Sequence, residues 1–469
     1  MANDNKTKLE SVPFRIENPE LIPARRYYDE AFFKLEQEQL WPRVWQMACR
    51  LEEIPEVGDY VAYDILDRSV IVINSSQGVK AFLNACRHRG VKLANGPGQL
   101  SESGFTCPFH GWQFNEQGRC TFVYGRNIFS ESLLEQSEID LVPVRLETWA
   151  GCAFINFDND AVPLRDCLGP LADRIDARHA EKLRMDWWCG TVLPTNWKLA
   201  IEAFQEGYHV MQTHPQLHEL TYKANRNYGP DADGKAVNEN LSAREVANLN
   251  ADFLARLSAG MDGMVHKTEM EVIEKLRHME LPDDPDLAAQ MFYGTTYAEV
   301  AKDALARGVP MFDILQVVQD HQFSPVEFTF PNFFLLPMVG AMSSYRIRPL
   351  TPETCLFEIW SLVIPPEGDD REPPAEPTML PYNSSQFPEI PRQDYSNLPI
   401  QQLGLHNMEF LRIAKGGEGL PGEGMISNYQ RLIDGYLAGL AASDLVDAYQ
   451  TASGAFDAPI KDIHFKGCD

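Results

Sequence analysis

Two short cysteine–histidine pairs constrain this chain more than any other feature of its sequence. Cys86 and His88 are separated by one residue, and Cys107 and His110, after a gap of eighteen residues, are separated by two. Each pair offers one thiolate sulfur and one imidazole nitrogen. A glycine follows each pair closely, and the missing Cβ lets a tight loop approach a bound group. The pattern therefore predicts a metal centre held between two loops.

Two kinds of metal centre use two cysteines and two histidines. A Rieske [2Fe–2S] centre binds one iron through two sulfurs and the other iron through two imidazole nitrogens. Tetrahedral zinc accepts the same four ligands, but zinc knuckles usually pair Cys with Cys and His with His. Because each pair here mixes the two residue types, the sequence favours a Rieske cluster at Cys86, His88, Cys107 and His110, with zinc as the alternative.

Composition limits the function classes. The chain has 469 residues, enough for two or three domains, and a formal net charge of -26. No basic stripe is present to neutralise phosphates, so no nucleic-acid partner is expected. The longest apolar stretch, residues 328–342, is interrupted by prolines and too short for a bilayer, so no membrane partner is expected. Nine cysteines without pairing rhythm and an N-terminus without an export signal predict a cytoplasmic protein.

The residue patterns divide the chain into three parts. Residues 1–43 are predicted as an N-terminal helical segment packing on the catalytic domain, with a helix over 26–43. Short β runs between turn residues predict an all-β domain over 44–160, with both cysteine–histidine pairs at strand ends. Residues 161–469 are predicted as a larger domain, in which an insertion at about 221–310 forms either a lid or a trimer surface. An amphipathic helix with a glycine-rich interruption is predicted over 401–442.

A second group of metal-ligand residues comprises Glu206, His209 and His214. On a helix, Glu206 and His209 share one face, and Pro215 disfavours helix at His214. Two convergent imidazoles supply two ligands of a 2-His-1-carboxylate triad on Fe(II), which leaves positions open for O₂. The alternative is that they are ordinary polar residues on a partly buried helix, but a one-electron cluster in the same chain needs a redox partner. His218 is a rival ligand.

With both groups in view, the chain resembles the α subunits of Rieske non-haem iron oxygenases, the ring-hydroxylating oxygenase family. The resemblance covers the Rieske motif and residues 196–214, which read N-W-K-x-A-x-E-x-F-x-E-G-Y-H-V-x-x-T-H. It implies an α+β fold, with an all-β Rieske [2Fe–2S] domain and a helix-grip (START-like) catalytic domain. In that catalytic domain a twisted antiparallel sheet lies over a long helix. The resemblance also implies that His209 and His214 bind mononuclear Fe(II).

The resemblance further implies a third iron ligand and a bridging acid. Asp394, shortly before a Q-x-G-L sequence, is the candidate ligand, and Asp369 and Asp370 in a charged loop are the alternatives. Glu206 stands where the family usually has the Asp that joins the Rieske histidine of one subunit to the iron histidine of the next. A carboxylate that accepts N–H bonds from two ligand imidazoles orients both. Glu at this position is similar to the branch that acts on quaternary amines, although that branch has Cys in place of Gly207.

The two sites imply a terminal oxygenase. Electrons from NAD(P)H would arrive through a ferredoxin or flavin reductase, since no dinucleotide-binding glycine motif follows a strand. The expected substrate is an aromatic or polycyclic apolar compound. The alternatives are a monooxygenase or demethylase acting on an amine or methoxy compound, and a non-catalytic electron carrier or ligand-binding protein. A homotrimer, with or without a β subunit, is expected because a closed ring lets every cluster reach a neighbour's iron.

Further residues are considered for the substrate and the electron donor. Arg87, Arg89 and Lys92 beside the cluster either steer an acidic ferredoxin or are solvated charges. Apolar residues on the elements around the iron either form walls of a substrate pocket or simply pack in the core. They are Phe204, Met211, Phe330, Phe334, Leu336 and Phe357.

Overall fold

The computed structural model of the protein describes residues 2–223, 238, 240–261, 263–321, 323–416, 422–456, 458–466 and 468. The chain forms an N-terminal segment, a first domain of short strands, and a second domain in which helices pack on a seven-stranded sheet. Most of residues 224–239 in the predicted insertion lie outside the described residues. Within the described part of the chain, no helix combines the length and apolarity needed to cross a membrane.

The N-terminal segment is helical, but the helix predicted over residues 26–43 is divided into short pieces. Asp29 begins the α-helical piece by accepting the backbone N–H of Phe32. Pro42 lies where the helical pattern ends, as predicted, because proline has no N–H to donate. The elements are α1 (Ala2–Glu10), β1 (Leu21–Pro23), a 3₁₀ turn (Ala24–Tyr27), α2 (Glu30–Leu35), a π-helical turn (Glu36–Leu40) and a 3₁₀ turn (Trp41–Arg43).

The first domain consists of short antiparallel strands, as its alternating β-forming residues predict. Seven strands form one sheet in the order β2-β11-β10-β5-β4-β3-β6, and β7-β8-β9 form a smaller sheet. One short helix, α3 (Gln136–Ile139), precedes the last two strands. The strands are β2 (Gln46–Arg50), β3 (Asp59–Ile65), β4 (Arg68–Ser75), β5 (Gly78–Leu83), β6 (Gly98–Gln99), β7 (Phe105–Thr106), β8 (Gln113–Phe114), β9 (Cys120–Phe122), β10 (Pro143–Trp149) and β11 (Cys152–Asn156).

The second domain is organised around a sheet with the strand order β17-β12-β16-β15-β14-β13-β19. Its neighbours pair antiparallel except β12 and β17, which pair parallel. Four of these strands, β13 to β16, lie between Glu327 and Val363. The strands of this part of the chain are β12 (Arg184–Leu193), β13 (Glu327–Thr329), β14 (Phe333–Leu336), β15 (Met342–Thr351), β16 (Thr354–Val363), β17 (Thr378–Met379), β18 (Phe410–Arg412) and β19 (Gly454–Ala455).

Helices pack against this sheet. The longest of those that carry a residue of the second group of metal ligands is α13. Tyr395 of α13 packs edge-on against Phe357 of the sheet, with ring centroids 5.2 Å apart. This is the predicted arrangement of an antiparallel sheet and a long helix. The helices are α4 (Leu164–Leu168), α5 (Pro170–Asp176), α6 (Trp197–Glu202), α7 (Val210–Thr213), α8 (Pro215–His218), α9 (Ala243–Met261), α10 (Lys267–Lys275), α11 (Pro285–Ala306), α12 (Ile314–Asp320), α13 (Glu389–Leu405), α14 (Gly424–Leu437) and α15 (Val446–Thr451).

The helix predicted over residues 401–442 is wrong in its first half. Helix α13 ends at Leu405, and residues Phe410–Arg412 form β18, which pairs antiparallel with β1 of the N-terminal segment. Tertiary pairing with a distant strand therefore overrides the local helical pattern. The glycine-rich interruption falls partly on residues 417–421, outside the described residues, and helix resumes at α14.

A buried ion pair joins the two domains. The Arg346 guanidinium on β15 makes two hydrogen bonds of 2.8 Å to the Glu358 carboxylate on β16. It also donates to the backbone carbonyls of Met47 and Ala48 on β2 of the first domain. Because both charges are nearly fully buried and hydrogen-bonded, this contact holds the first domain in one orientation on the sheet.

Candidate metal centres

The two cysteine–histidine loops share one backbone construction. The N–H of Cys86 and the N–H of Cys107 each donate to the carbonyl five residues later, at 2.8 Å in both loops. Gly90 and Gly111 close the loops with φ values of +74° and +69°, a region that residues with a Cβ rarely adopt. The result is a pair of matching knuckles, each presenting one cysteine and one histidine.

The two loop histidines face each other. Their rings meet edge to face with centroids 4.5 Å apart, and Trp112 stacks on His88 at 5.1 Å. Burial and the neighbouring His110 lower the pKa of His88, which keeps that imidazole neutral. Nδ1 of His88 is buried and has no hydrogen-bond partner. A buried, unpaired nitrogen with an available lone pair is costly unless it binds something, so this donor fits a metal.

The two loop thiols complete the donor set. Cys86 and Cys107 are both 3% exposed. Burial and the adjacent Cys107 thiol raise the pKa of Cys86 to about 11. At neutral pH this thiol therefore stays protonated unless a metal ion binds the thiolate. Two adjacent thiol sulfurs and two facing imidazoles fit the donor chemistry of a Rieske cluster.

The second centre is formed by His209, His214 and Asp394, whose ligand atoms all lie within 4.8 Å of one another. Nε2 of His214 lies 3.0 Å from Oδ1 of Asp394, and Nε2 of His209 lies 3.9 Å from the same oxygen. The histidines flank α7, while Asp394 lies in the first half of α13. Two imidazoles and one carboxylate in this arrangement fit a mononuclear iron with open coordination positions.

The spacing predicts Glu206 and His209 on one face of a continuous helix, but in the structure they lie between two helices. Helix α6 ends at Glu202, and α7 begins only at Val210. The Glu206 carboxylate accepts the backbone N–H of His209 at 2.9 Å, and this local bond replaces the helical bond. The prediction that the two side chains lie together is nevertheless confirmed, since Nδ1 of His209 is 2.7 Å from Oε1 of Glu206.

At each histidine of the second centre, a side-chain oxygen lies within hydrogen-bond distance of Nδ1, on the side away from Asp394. Glu206 lies behind His209, and Oε1 of Gln393 lies 2.7 Å from Nδ1 of His214. Because these oxygens accept, each Nδ1 carries the hydrogen and each Nε2 offers a lone pair toward Asp394. Burial opposes charge on His209, but the hydrogen bond and charge of Glu206 prevail and raise the pKa of that imidazole. Gln393 has no signal in the sequence apart from its place beside Asp394.

The rival residues lie elsewhere. His218 ends α8 and is not part of the group formed by His209, His214 and Asp394. Asp369 and Asp370 are exposed in the loop before β17, where Asp369 pairs with Arg371 at 2.7 Å. Of the three candidate carboxylates for the third ligand, the structure brings only that of Asp394 to the two histidines.

A cavity of about 660 Å³ opens beside the second centre. Met211 is among its walls, as predicted for the pocket. Three carboxylates other than Asp394 line it, on Glu202, Glu206 and Glu423, together with Arg412. Asp394 lines the same cavity, so the metal ligands can be reached from one side.

The predicted aromatic walls separate into two groups. Phe204, Phe334 and Phe357 lie in one cluster with Tyr345, and the Phe204 ring is 4.7 Å from Phe334 and 5.3 Å from Tyr345. Phe334, Phe357 and Tyr345 are fully buried, and none of the four residues lines the cavity, so this cluster belongs to the core. Phe330 packs among Tyr429, Tyr436 and Tyr449, and of the six residues considered as pocket walls only Met211 lines the cavity.

The basic residues near the first centre are engaged locally. Lys92 pairs with Asp64 at 2.8 Å, the Arg89 guanidinium lies 5.3 Å from the Phe109 ring centroid, and Arg87 donates to the Glu138 carbonyl at 3.3 Å. Around them the first domain exposes several large apolar side chains. These are Phe109, Phe122, Tyr124, Ile128 and Leu133.

Two family profiles match the chain. Residues 44–126 match the Rieske [2Fe-2S] domain, and residues 173–439 match the ring hydroxylating alpha subunit (catalytic domain). The first match confirms the predicted Rieske cofactor and excludes the zinc alternative. Together the matches confirm the predicted pairing of a Rieske domain with an oxygenase catalytic domain.

Curated relatives include mono- and dioxygenases. The carnitine monooxygenase oxygenase subunit of Escherichia coli (strain K12) is 32% identical over 197 residues, which are 41% of this chain and 52% of the relative. The biphenyl 2,3-dioxygenase subunit alpha of Rhodococcus jostii (strain RHA1) is 32% identical over 202 residues, covering 41% and 43%. The chain thus spans about half the length of the curated relatives it matches.

Solved structures share the fold over most of the chain. The apo form of a quaternary ammonium Rieske monooxygenase superposes with a TM-score of 0.57 at 18% identity, covering 89% of this chain and 96% of the other. Naphthalene 1,2-dioxygenase from Rhodococcus sp. bound to indole superposes with a TM-score of 0.57 at 20% identity, covering 93% and 97%. These likenesses confirm the predicted fold class.

Proposed function

We propose, from the premise that this chain belongs to the ring-hydroxylating alpha-subunit family, that it is the terminal oxygenase component of a Rieske non-haem iron oxygenase. The observation that carries this proposal is the convergence of His209, His214 and Asp394 in a chain that also holds a Rieske domain. A non-catalytic electron carrier would have no use for this second donor set.

Each donor set has a defined part in the proposal. Cys86, Cys107, His88 and His110 would hold the [2Fe–2S] cluster, and His209, His214 and Asp394 would hold the mononuclear Fe(II). When bound, the cluster supplies single electrons and the Fe(II) binds and activates O₂.

The remaining residues prepare the site. Glu206 keeps the hydrogen of His209 on Nδ1, so that Nε2 is free for the metal. Gln393 does the same for His214. The cavity beside Glu206 gives access to the ligands from one side. Trp112 covers the ring of His88 in the first centre.

The proposed partners follow from the exposed surfaces. Electrons from NAD(P)H would reach the cluster through a ferredoxin or flavin reductase. Self-association as a homotrimer would cover the exposed apolar side chains of the first domain, and would let Glu206 bridge to a neighbour's Rieske histidine. Association with a β subunit is compatible with the same surfaces. The proposed location of this machinery is the cytoplasm, where all nine cysteines would remain free thiols or ligands.

An aromatic or polycyclic apolar compound is the first substrate candidate. The cavity beside the second centre is lined by apolar side chains that include Met211, Leu398 and Leu405. An apolar cavity binds a flat apolar ring by burying its surface. The biphenyl dioxygenase subunit among the relatives supports this class.

A quaternary amine is the second candidate, and a separate observation favours it. Among its described residues, the cavity at the second centre is lined by the carboxylates of Glu206, Glu423 and Asp394 and by one guanidinium, that of Arg412. A surplus of negative charge attracts a cationic substrate. Carnitine and glycine betaine monooxygenases among the relatives support the same class.

Metal analysis tests the two-centre proposal directly. The purified protein should contain about three Fe for every two acid-labile sulfides, and Asp394→Asn should lower this to about two Fe. Asp370→Asn, in the exposed loop, is the matched control and should keep the full content. Equal iron and sulfide in the unmodified protein would refute the oxygenase and favour an electron carrier.

Product analysis separates the two substrate classes. With a reductase, NADH and ¹⁸O₂, an aromatic substrate taken to a cis-diol gains two labelled oxygens. Demethylation or C–N cleavage of an amine inserts one labelled oxygen and releases an aldehyde or an amine fragment. Turnover of amines alone would reject the aromatic class.

A further inference from the structure

Gln393 and Gln216, together called the amide pair, lie behind His214 as Glu206 lies behind His209. Oε1 of Gln393 is 2.7 Å from Nδ1 of His214, and the Nε2–H of Gln216 donates to the same oxygen at 2.8 Å. The Nε2–H of Gln393 donates back to Oε1 of Gln216 at 3.3 Å. The three side chains come from two parts of the chain, His214 and Gln216 at α8 and Gln393 on α13, which approach each other only in the folded protein.

The reciprocal bonds give the amide pair one orientation relative to His214. A rotation of Gln393 alone would turn its N–H groups toward the N–H of Gln216 and toward the hydrogen on Nδ1 of His214, placing donor against donor. The oxygen of Gln393 therefore remains toward Nδ1. His214 then keeps its hydrogen on Nδ1, and its Nε2 lone pair points at the 3.0 Å contact with Asp394.

The amide pair differs from Glu206 in charge. Glu206 is a carboxylate that is 8% exposed, so it places a buried negative charge behind His209. Gln393 is a neutral acceptor on a partly buried side chain. A hydrogen bond to an anion polarises an imidazole more strongly than a bond to an amide. The two histidines are therefore held with equal distances, 2.7 Å each, but with unequal polarisation.

We propose that the amide pair is a positioning unit for the mononuclear iron, which sets the tautomer and ring orientation of His214 through a neutral acceptor. This inference rests on the proposed function, because it takes His214 to be an iron ligand. Gln393 sets the tautomer directly, and Gln216 acts through Gln393 by preventing its rotation. Partners of this kind typically change metal affinity 10–100-fold when removed.

The test uses protein with the cluster intact, from which a chelator removes the mononuclear iron before reloading with Co²⁺. Gln393→Leu should raise the Co²⁺ Kd about 10–100-fold and remove one slowly exchanging imidazole N–H signal from the paramagnetically shifted proton NMR spectrum. Gln393→Glu restores an acceptor, which is now an anion, and should recover both signals and most of the affinity lost in Gln393→Leu. Gln216→Leu should weaken Co²⁺ binding less than Gln393→Leu. Gln290→Leu, on the exposed side of α11, is the control and should change neither readout.

Each outcome decides the inference. Wild-type Co²⁺ affinity with both N–H signals in Gln393→Leu would overturn it while leaving the iron site intact. Failure of Gln393→Glu to recover the affinity would also overturn it, because a packing role does not depend on an acceptor. If Gln393→Leu loses the visible absorption of the cluster and so fails to fold, an unchanged Kd in Gln216→Leu overturns the inference. Absence of stoichiometric Co²⁺ binding in the wild type would refute the proposed function itself.

Discussion

Glu206 is the residue on which the proposed link between the two centres depends. Both of its oxygens are engaged with His209, one through the imidazole and one through the backbone N–H. It also lines the cavity beside the second centre, so a group that enters the cavity can contact its carboxylate. A residue placed in this way can orient an iron ligand and at the same time present a carboxylate edge to an approaching group.

Replacing Glu206 by Ala should weaken iron binding, as the loss of Gln393 does at His214, but with iron in excess both metals stay bound and most turnover is still lost. The three proposed iron ligands remain, while the acceptor behind His209 and the bridge to a neighbouring cluster are lost. We expect a fall of about 10–100-fold or more in the NADH-linked rate. Iron and sulfide analysis combined with single-turnover kinetics would measure this. Loss of the cluster, or a near-normal rate, would contradict the bridging role, and Glu206→Asp should retain part of the activity.

Glu202 carries a pH-dependent contribution to stability. Burial raises the pKa of this carboxyl to about 7 from an ordinary value of 4.5, although Tyr27 and Gln430 donate hydrogen bonds to it. Because the folded state holds this proton more tightly than the unfolded state, its stabilisation is full below about pH 4.5. It is lost as the pH rises through about 7, by at most about 1.4 kcal/mol per pH unit.

Glu202→Gln should flatten this pH dependence, because the amide resembles the neutral acid at every pH. The midpoint of thermal unfolding, measured from pH 5 to pH 8, should fall with pH in the wild type and fall less in the variant. Glu271→Gln, at an exposed position of α10, should follow the wild type. Parallel curves for the wild type and Glu202→Gln would disprove this assignment.

Among the elements, the N-terminal segment depends on one buried ion pair. Arg26 pairs with Asp434 of α14, and the side chains are 0% and 2% exposed. Asp434 also accepts the backbone N–H of Ile16 at 3.0 Å, and Arg26 donates to Gln430 at 2.8 Å. The pair therefore connects the beginning of the chain to a helix more than four hundred residues later.

Asp434→Ala should destabilise the protein by about 3–5 kcal/mol, because it leaves the Arg26 charge buried without a partner. Denaturant unfolding would measure the change, and limited proteolysis should show earlier cleavage in the N-terminal segment. Glu299→Ala breaks the exposed pair with Lys302 and should change little. Equal effects of the two substitutions would show that burial does not determine the strength of the contact.

The protein exposes large apolar side chains to solvent on both domains. Ile128 is 79% exposed and Tyr124 70% exposed in the first domain. On the second domain, Ile400 and Leu403 of α13 are 67% and 69% exposed on the helix that carries Asp394. Apolar patches of this kind are typical of protein interfaces. In a ring of identical subunits, each patch can be covered by another subunit.

Ile128→Glu should disrupt the proposed homotrimer, because it places a charge in the middle of the exposed apolar surface of the first domain. Light scattering after gel filtration should show a shift from trimer toward monomer, with the metal content unchanged and the turnover reduced. Leu305→Glu, at an exposed position of α11, tests the alternative that the insertion forms the trimer surface. If Leu305→Glu abolishes the trimer and Ile128→Glu does not, the insertion and not the first domain forms the interface.

The first centre and the β structure around it could be predicted from the sequence alone, for a physical reason. Its ligands lie on two short loops, and the bonds that shape each loop join residues five positions apart. The glycines that permit the turns are in the same loops. Period-2 patterns likewise report the two faces of a strand wherever one face is buried. Such features are local, so the neighbouring residues contain the information.

The second centre was completed only by the tertiary structure. His209 and His214 could be identified from their spacing, but Gln393 reaches His214 across 179 residues of sequence, and Asp394 arrives on the same helix. The end of α13, the strand β18 and the break between α6 and α7 likewise depend on contacts with distant or capping groups. Where a long helix comes to rest on a sheet is determined by packing over the whole domain. No local pattern contains that information.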